Sequence, residues 1–209
     1  MNKPYSSSSE RNKAPILAVL AARLRGPRRV LELGSGTGQH AVYFGAALPE
    51  LTWMTSDLPD NHAGICSWLD EAGLRNVAPP LALDVRTWPW PVEGMQVDTV
   101  YSANTAHIMD WPAVESMFAG VGRLLADSPD PDDAMFLLYG PFSYGSQHTS
   151  EGNVAFDRQL RGQPGGMGIR DLDDLVPLAR SGGMTLREDI AMPANNRVLV
   201  FGPAGHATA

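Results

Sequence analysis

The run Arg29-Val30-Leu31-Glu32-Leu33 is short and largely apolar. It breaks into Gly34-Ser35-Gly36-Thr37-Gly38 and re-enters as a helical pattern from about Gly38 to Leu48, closed by Pro49. A strand that ends in glycines and turns straight into a helix is the opening unit of an open parallel sheet, whose ligands sit beyond the carboxyl ends of the strands. Glycine lets the main chain approach a ligand with no Cβ in the way. Taken alone, a Gly-x-Gly turn is equally a tight connection with nothing bound, so the rest of the chain has to decide.

The alternation continues. Leu51–Thr55 is strand-like, Asn61–Ala72 is helix-like and is stopped by Gly73, and short strands follow at Pro80–Leu83 and Val97–Ser102. Pro112–Ala126 is a helix, Ala134–Tyr139 a strand, Arg170–Arg180 a helix stopped by Gly182-Gly183. Met184–Met192 and Arg197–Phe201 are strands joined by a turn at Pro193-Ala194-Asn195-Asn196. Upstream, Ile16, Leu17, Val19, Leu20 and Leu24 recur at helical spacing from Pro15 and stop at Gly26-Pro27. The pattern predicts an α/β, Rossmann-like sheet of seven mostly parallel strands with one antiparallel strand and helices on both faces. No repeat and no second core is visible, so residues 14–209 read as one domain. Residues 1–13, with Ser6 to Ser9, read from composition as a solvated tail. Residues 140–168, with one helical piece around Val154–Leu160, are long for a connection and are a candidate active-site loop.

The chain has 209 residues, with 16 basic against 23 acidic side chains and a net charge of −7. That balance disfavours broad binding to nucleic acid or to an anionic membrane, since both need a surplus of Lys and Arg. The lone Cys66 excludes an intrachain disulfide and a multi-cysteine metal site. The longest apolar run, Ala14–Ala22, contains Pro15 and is too short to span a bilayer, and Met1–Lys13 lacks a signal-peptide core. The expectation is a cytoplasmic protein with no membrane partner. His and carboxylate spacing shows no metal-ligand pattern, so no metal is expected.

Three acids narrow the ligand. Glu32 precedes the glycines, where it would repel a diphosphate and suit a cation. Asp57 ends the second strand, at the place of a ribose-binding acid. Asp84, followed by Val85, ends the third strand and can accept from an adenine amino group. Gln39 stands where the dinucleotide fingerprint wants glycine. A nucleoside with a positive charge and no phosphate fits these residues, and S-adenosyl-L-methionine (SAM) is such a ligand. The expected cofactor-binding set is Glu32, Gly34, Ser35, Gly36, Gly38, His40, Asp57, Asp84, Val85 and Asn104, joined by Arg11 and Asn12 from the arm.

The form of the glycine motif and the strand–helix order resemble class I SAM-dependent methyltransferases. A closer resemblance rests on segments along nearly the whole chain. They are Glu10-Arg11-Asn12 with Pro15-Ile16-Leu17, Ser35 to Phe44, Asn104-Thr105-Ala106-His107-Ile108, and Tyr139-Gly140-Pro141-Phe142. Ala155-Phe156-Asp157 with Leu160-Arg161, Gly168-Ile169-Arg170-Asp171, and Met192 to Asn196 complete them. These are similar to the methyltransferase-like family called domain of unknown function 938, which includes the animal methyltransferase-like protein 26. Three positions depart: Thr105-Ala106 replaces a common Met-Ile before the histidine, and Met167 replaces a common Trp. The resemblance implies a SAM-binding fold and names no substrate.

It also changes the reading of the arm, which is expected to fold over the cofactor with Arg11 offering its fork to a carboxylate. His107 follows the fourth strand, where methyltransferases present residues to the transferred methyl; it is the first candidate general base, and Tyr139 the second. Asn104 there can hold the methionine amino group or the substrate. His40 reads equally as a cofactor neighbour or a helix-surface histidine. His148, near Tyr144 and Gln147, reads equally as a closing residue or a solvated one. His62 and His206 are set aside as exposed. Asp157, Arg161, Arg170 and Asp171 are expected to order the long loop through salt bridges. Trp53, Trp68, Trp88, Trp90 and Trp111 are expected to pack. The expected function is in-line methyl transfer from SAM to a small-molecule acceptor. The rivals are a catalytically silent SAM-fold binding module and an NAD-dependent oxidoreductase, the latter disfavoured by Gln39 and Glu32.

Overall fold

A computed structural model of the chain describes residues 3–26, 28–92 and 94–205. Pro27 and His206, both used above, lie outside the described residues. Seven strands form one sheet: β1 (Arg29–Leu33), β2 (Thr52–Asp57), β3 (Val77–Ala82), β4 (Thr99–Ala103), β5 (Met135–Gly140), β9 (Met184–Met192) and β10 (Asn196–Pro203). Their order is β3-β2-β1-β4-β5-β10-β9. β1 is parallel to β2 and β2 to β3, while β10 runs antiparallel to both of its neighbours, as the hairpin-like end of the sequence requires. Among the described residues, no helix is long and apolar enough to cross a membrane. The chain divides into two compact units, residues 1–101 and 102–209.

In the first unit, α1 (Ser7–Arg23), α2 (Gln39–Ala47) and α3 (Pro59–Ala72) accompany the strands. β1 and β2 are buried at every position after the first, so neither alternates between apolar and polar residues. Phe44, Trp53 and Tyr101 pack ring against ring at centroid distances of 5.5–5.7 Å and form the aromatic centre of this unit. α1 begins at Ser7, within the segment whose composition suggests a tail, and Pro15 lies inside it rather than in its first turn. Ser6 is the N-cap, its hydroxyl accepting from Ser9 N at 3.1 Å. Asn12, Ile16 and Leu20 are the buried positions, four residues apart on one face. The apolar pattern alone starts the helix at Pro15, because its first buried residue is the polar Asn12.

In the second unit, α4 (Trp111–Ala126) is capped by Asp110, whose side chain accepts from Ala113 N at 2.9 Å, with Pro112 in the first turn. Phe118, Phe136 and Phe201 pack edge-on or stacked at 5.3–6.1 Å. The long connection is partly ordered by a small second sheet of β6 (Phe142–Tyr144), β7 (Gln147–His148) and β8 (Arg170–Asp171), in the order β7-β6-β8. Strands this short carry no readable period, and the sequence pattern places none there. α5 (Glu151–Arg161) follows β7, and α6 (Leu172–Ser181) starts two residues after the predicted Arg170, because Asp171 is its cap and accepts from Asp173 N. Trp53 and Trp90 are buried, and Trp88, 45% exposed, has its ring 5.7 Å from that of Trp90.

α4 and α6 meet through two glycines. A Cβ on Gly122 would lie 1.9 Å from the Gly182 carbonyl oxygen. Gly122→Ala is therefore expected to destabilise the fold by about 1–3 kcal/mol through forced separation of the helices. Urea unfolding should show a lower midpoint at an unchanged slope.

Candidate cofactor-binding site

The loop between β1 and α2 is hung from two carboxylates. Glu32, the fourth residue of β1, is buried and accepts at Oε2 from Ser35 Oγ (2.9 Å) and from Trp53 Nε1 (3.0 Å). Ser35 Oγ in turn accepts from Ser56 N at 3.1 Å. Asp57, the last residue of β2, accepts at Oδ2 from Gly36 N and at Oδ1 from Leu58 N and Asn61 Nδ2, each at 2.7 Å. Gly34 N and Ser35 N both donate to Ser56 O. Gly34, Gly36 and Gly38 all have positive φ, at 73°, 57° and 87°. A Cβ at Gly36 would meet nothing within 4 Å, so the loop presents bare main chain to open space there. At Gly38 it would meet the Ile65 main chain at 3.1 Å, so that glycine lets α2 lie close to α3. Burial pushes the Glu32 carboxyl up to about 7, partly opposed by the Trp53 and Ser35 hydrogen bonds and helped by the Asp57 charge. A cation near this pair would relieve the repulsion.

The residues after the loop grip α1. Gln39 Oε1 accepts from Ser6 N, and its Nε2 donates to Ser6 O at 3.4 Å. Pro4 O accepts from Trp68 Nε1 at 2.7 Å, and Lys3 lies 3.6 Å over the Trp68 ring and pairs with Glu71. His40 is buried, with Nε2 2.7 Å from Asn12 Oδ1 and Nδ1 3.3 Å from the Tyr101 hydroxyl. An oxygen acceptor on Asn12 fixes the tautomer: Nε2 carries the proton and donates, and Nδ1 accepts from Tyr101. Burial lowers the His40 pKa to about 4, so the ring is neutral near pH 7. His40 is therefore not a helix-surface residue.

Of the expected cofactor residues, the first unit brings together Glu32, Gly34, Ser35, Gly36, Gly38 and Asp57 at the loop, and joins Asn12 to His40 beside it. Arg11 is exposed on α1 and donates to Ser8 Oγ at 3.3 Å. Asp84 folds back on its own turn, accepting from Arg86 N at 2.9 Å, and Val85 O accepts from Trp90 Nε1 at 3.4 Å. His62 Nε2 lies 3.0 Å from the Asp57 carbonyl. Sequence reasoning missed Gln39 as a clamp and Trp53, Ser56 and Asn61 as loop supports. Only Asn61, four residues after Asp57 and in the first turn of the next helix, carries a readable signal.

The second unit holds the other candidates. Asn104 has φ of 59°, and its N–H donates to the Tyr139 carbonyl at 2.9 Å. Tyr139 is buried on β5. His107 is buried, its ring edge-on to Phe156 at 5.4 Å, and burial with the Arg170 charge lowers its pKa to about 4. It is a weaker base than an ordinary histidine. His148 Nε2 lies 3.4 Å from Asp157 Oδ2. Asp157 pairs with Arg161 at 2.7 Å and accepts from Ile169 N, as a loop-ordering bridge should. Arg170 and Asp171 do not follow that expectation. Arg170 donates to the carbonyls of Ala106, Met109 and Gly166, and Asp171 accepts from Ser143 Oγ and Ser146 N. Main-chain groups in the folded loop outcompete the carboxylate–guanidinium pairing. Among the described residues, no group of three or more His, Cys, Asp or Glu is placed to hold a metal ion.

The family described as protein of unknown function DUF938 matches residues 3–202. The chain belongs to the DUF938 family. Solved structures with the same fold include the mitomycin 7-O-methyltransferase MmcR, with TM-score 0.77 and 16% identity over 95% of this chain and 55% of that one. An O-methyltransferase family protein from Burkholderia thailandensis gives 0.76 and 15%, over 94% and 57%. Human N-acetylserotonin methyltransferase in complex with SAM gives 0.71 and 14%, over 94% and 53%. This DUF938 chain thus spans a little over half the length of these structures. The fold is that of class I SAM-dependent methyltransferases.

The buried titrating groups make stability pH-dependent in opposite senses. His40 and His107 have folded pKa values below the ordinary 6.5, so unfolding takes up their protons as pH falls, and their contribution is lost between about 6.5 and about 4. Glu32 has a folded value raised from 4.5 to about 7, so its effect is the reverse, and stability falls as pH rises through that window. Unfolding free energy near pH 5.5 is expected to rise with pH with a slope of about one proton. Glu32→Gln, whose amide oxygen still accepts from Trp53 and Ser35, should steepen the slope to about two protons, read from urea titrations between pH 5 and 6.5.

Proposed function

We propose that this protein is a SAM-dependent methyltransferase acting on a small-molecule acceptor. The observation that carries the reading is the glycine loop held between Glu32 and Asp57, with positive-φ glycines and open space at Gly36. Two neighbouring carboxylates, one with its pKa raised to about 7, suit a cationic nucleoside and oppose a diphosphate. Glu32 would supply the negative field, the bare main chain at Gly34, Ser35 and Gly36 would bound the ligand, and Asp57 would take a ribose hydroxyl on the one Oδ2 lone pair that Gly36 N leaves. Asp84 with Val85 would border the base. SAM, when bound, supplies a methyl group on a sulfonium already activated for displacement.

The chain's own work is then to orient and to exclude water. The arm over residues 1–13 is proposed as a cover, its Ser6 and Asn12 tied to Gln39 and His40 just after the loop. Arg11 is the candidate for a ligand carboxylate, which it would reach on leaving Ser8. In the second unit, Asn104 is proposed to hold polar groups of cofactor or acceptor. His107, neutral near pH 7, is proposed to take a proton from the acceptor where one must leave, with Tyr139 as the second candidate. The fold-mates that act on mitomycin and N-acetylserotonin support a small-molecule acceptor, as does the acidic charge balance.

Calorimetry tests the reading directly: SAM and S-adenosylhomocysteine should bind and NAD should not. NAD binding without SAM binding would sink the proposal. Asp57→Asn should weaken SAM binding at least ~10-fold, because a charge-assisted hydrogen bond is worth roughly 1.5–3 kcal/mol. The melting temperature should fall only slightly, since the amide oxygen still accepts from the loop or from α3.

A further inference from the structure

The second unit contains a polar pocket of about 360 Å³ whose lining includes Trp111, His148, Asp157, Arg161, Arg170 and Asp174. Most of its charges are already spoken for. Asp157 accepts from Arg161 Nε and Ile169 N, and Asp171 from Ser143 Oγ, Ser146 N and Asp173 N. Burial works against both carboxylates, but these donors hold them below the ordinary carboxylate value. They have no need of a further cation.

The guanidinium groups differ. Arg170 is only 8% exposed, and its Nε and one Nη donate to the Ala106, Met109 and Gly166 carbonyls. No carboxylate lies within ion-pair distance of it among the described residues. Its second Nη makes no hydrogen bond there either. Arg161 uses Nε on Asp157 and leaves both Nη groups uncommitted. A buried guanidinium with no carboxylate in direct contact is an unfavourable arrangement that an anion would relieve. Burial and the nearby Arg161 charge lower the Arg170 pKa, and the Asp110 and Asp157 charges offset this only in part. His148 adds an Nδ1 that is buried without any hydrogen-bond partner. The Trp111 ring, 5.9 Å from the Arg170 guanidinium carbon, gives the pocket a flat apolar face.

We propose that this pocket binds a small organic carboxylate, its oxygens taken by the free Nη groups of Arg161 and Arg170, and its flat body laid on Trp111. Forked guanidinium donors match the two oxygens of a carboxylate. The pocket is lined entirely from residues 111–174, so the inference stands apart from the cofactor reading. Asp174 makes no hydrogen bond or ion pair among the described residues, and its charge opposes an anion from the wall.

The experiment titrates the full-length protein with benzoate, with benzamide as the neutral isostere and inorganic phosphate as the other oxyanion, by calorimetry near pH 7. Benzoate should bind saturably, benzamide should not, and phosphate should bind more weakly because it leaves Trp111 uncovered. Arg161→Gln should weaken benzoate at least ~10-fold. Asp174→Asn should tighten it, and a gain in affinity does not arise from misfolding. Phosphate binding as tightly as benzoate would overturn the carboxylate assignment in favour of a general oxyanion site. Equal binding of benzoate and benzamide, no benzoate binding at ~10 mM, or variants that leave its affinity unchanged would overturn the site itself. None of these outcomes bears on SAM binding, which is measured separately.

Discussion

The hydrogen bond from Gly36 N to the Asp57 carboxylate joins the ends of the first two strands through a side chain. With the Glu32–Ser35–Ser56 links beside it, it fixes the glycine loop in a form that bare main chain would not hold, since glycine gives up the most conformational freedom on ordering. The cost is electrostatic. Two carboxylates sit close to one another and one is fully buried, which shows in the raised pKa of Glu32. The first unit therefore stores an unfavourable charge arrangement beside a stretch of open main chain at Gly36.

The second unit solves a related problem with opposite sign. Arg170 holds three carbonyls of the segments around residues 106–109 and 166, and so shapes the long connection, while the Asp110 and Asp157 charges balance it only in part. Main-chain carbonyls satisfy its hydrogens without neutralising its field. Each unit thus keeps an incompletely balanced buried group, a carboxyl in the first and a guanidinium in the second. Each sign of charge selects its own class of ligand.

The strands and helices with a long apolar period were legible in the sequence, α4 and β9 most fully. The sheet's antiparallel end was legible because Pro193 to Asn196 is too short for a crossover. The beginning of α1 was not, because its inner face starts with Asn12 and its first turn is serine, so apolar periodicity is silent where polar contacts do the anchoring. The small sheet was not, because two- and three-residue strands have no period to read. The glycine loop and the acids Glu32 and Asp57 were found from type and position. Their mutual hydrogen bonds were not, nor was the burial of His40, because those depend on which side chains the sheet brings together across 20 to 60 residues of chain. Gln39 shows the difference sharply. Sequence comparison registers it as a missing glycine, whereas its amide holds both main-chain groups of Ser6.

That grip on Ser6 has a consequence for how the chain tolerates changes of length. Ser6 is bound to Gln39 and Asn12 to His40, and Gln39 and His40 are neighbours. The six-residue interval between the two contacts is therefore a ruler. One residue added inside it would turn Asn12 by about 100° around the helix axis and off the histidine. A residue added before Ser6 would disturb neither contact. Length variation is closed between Ser6 and Asn12, and before Ser6 it meets the Pro4–Trp68 and Lys3–Glu71 contacts instead, although nothing in the composition marks these limits.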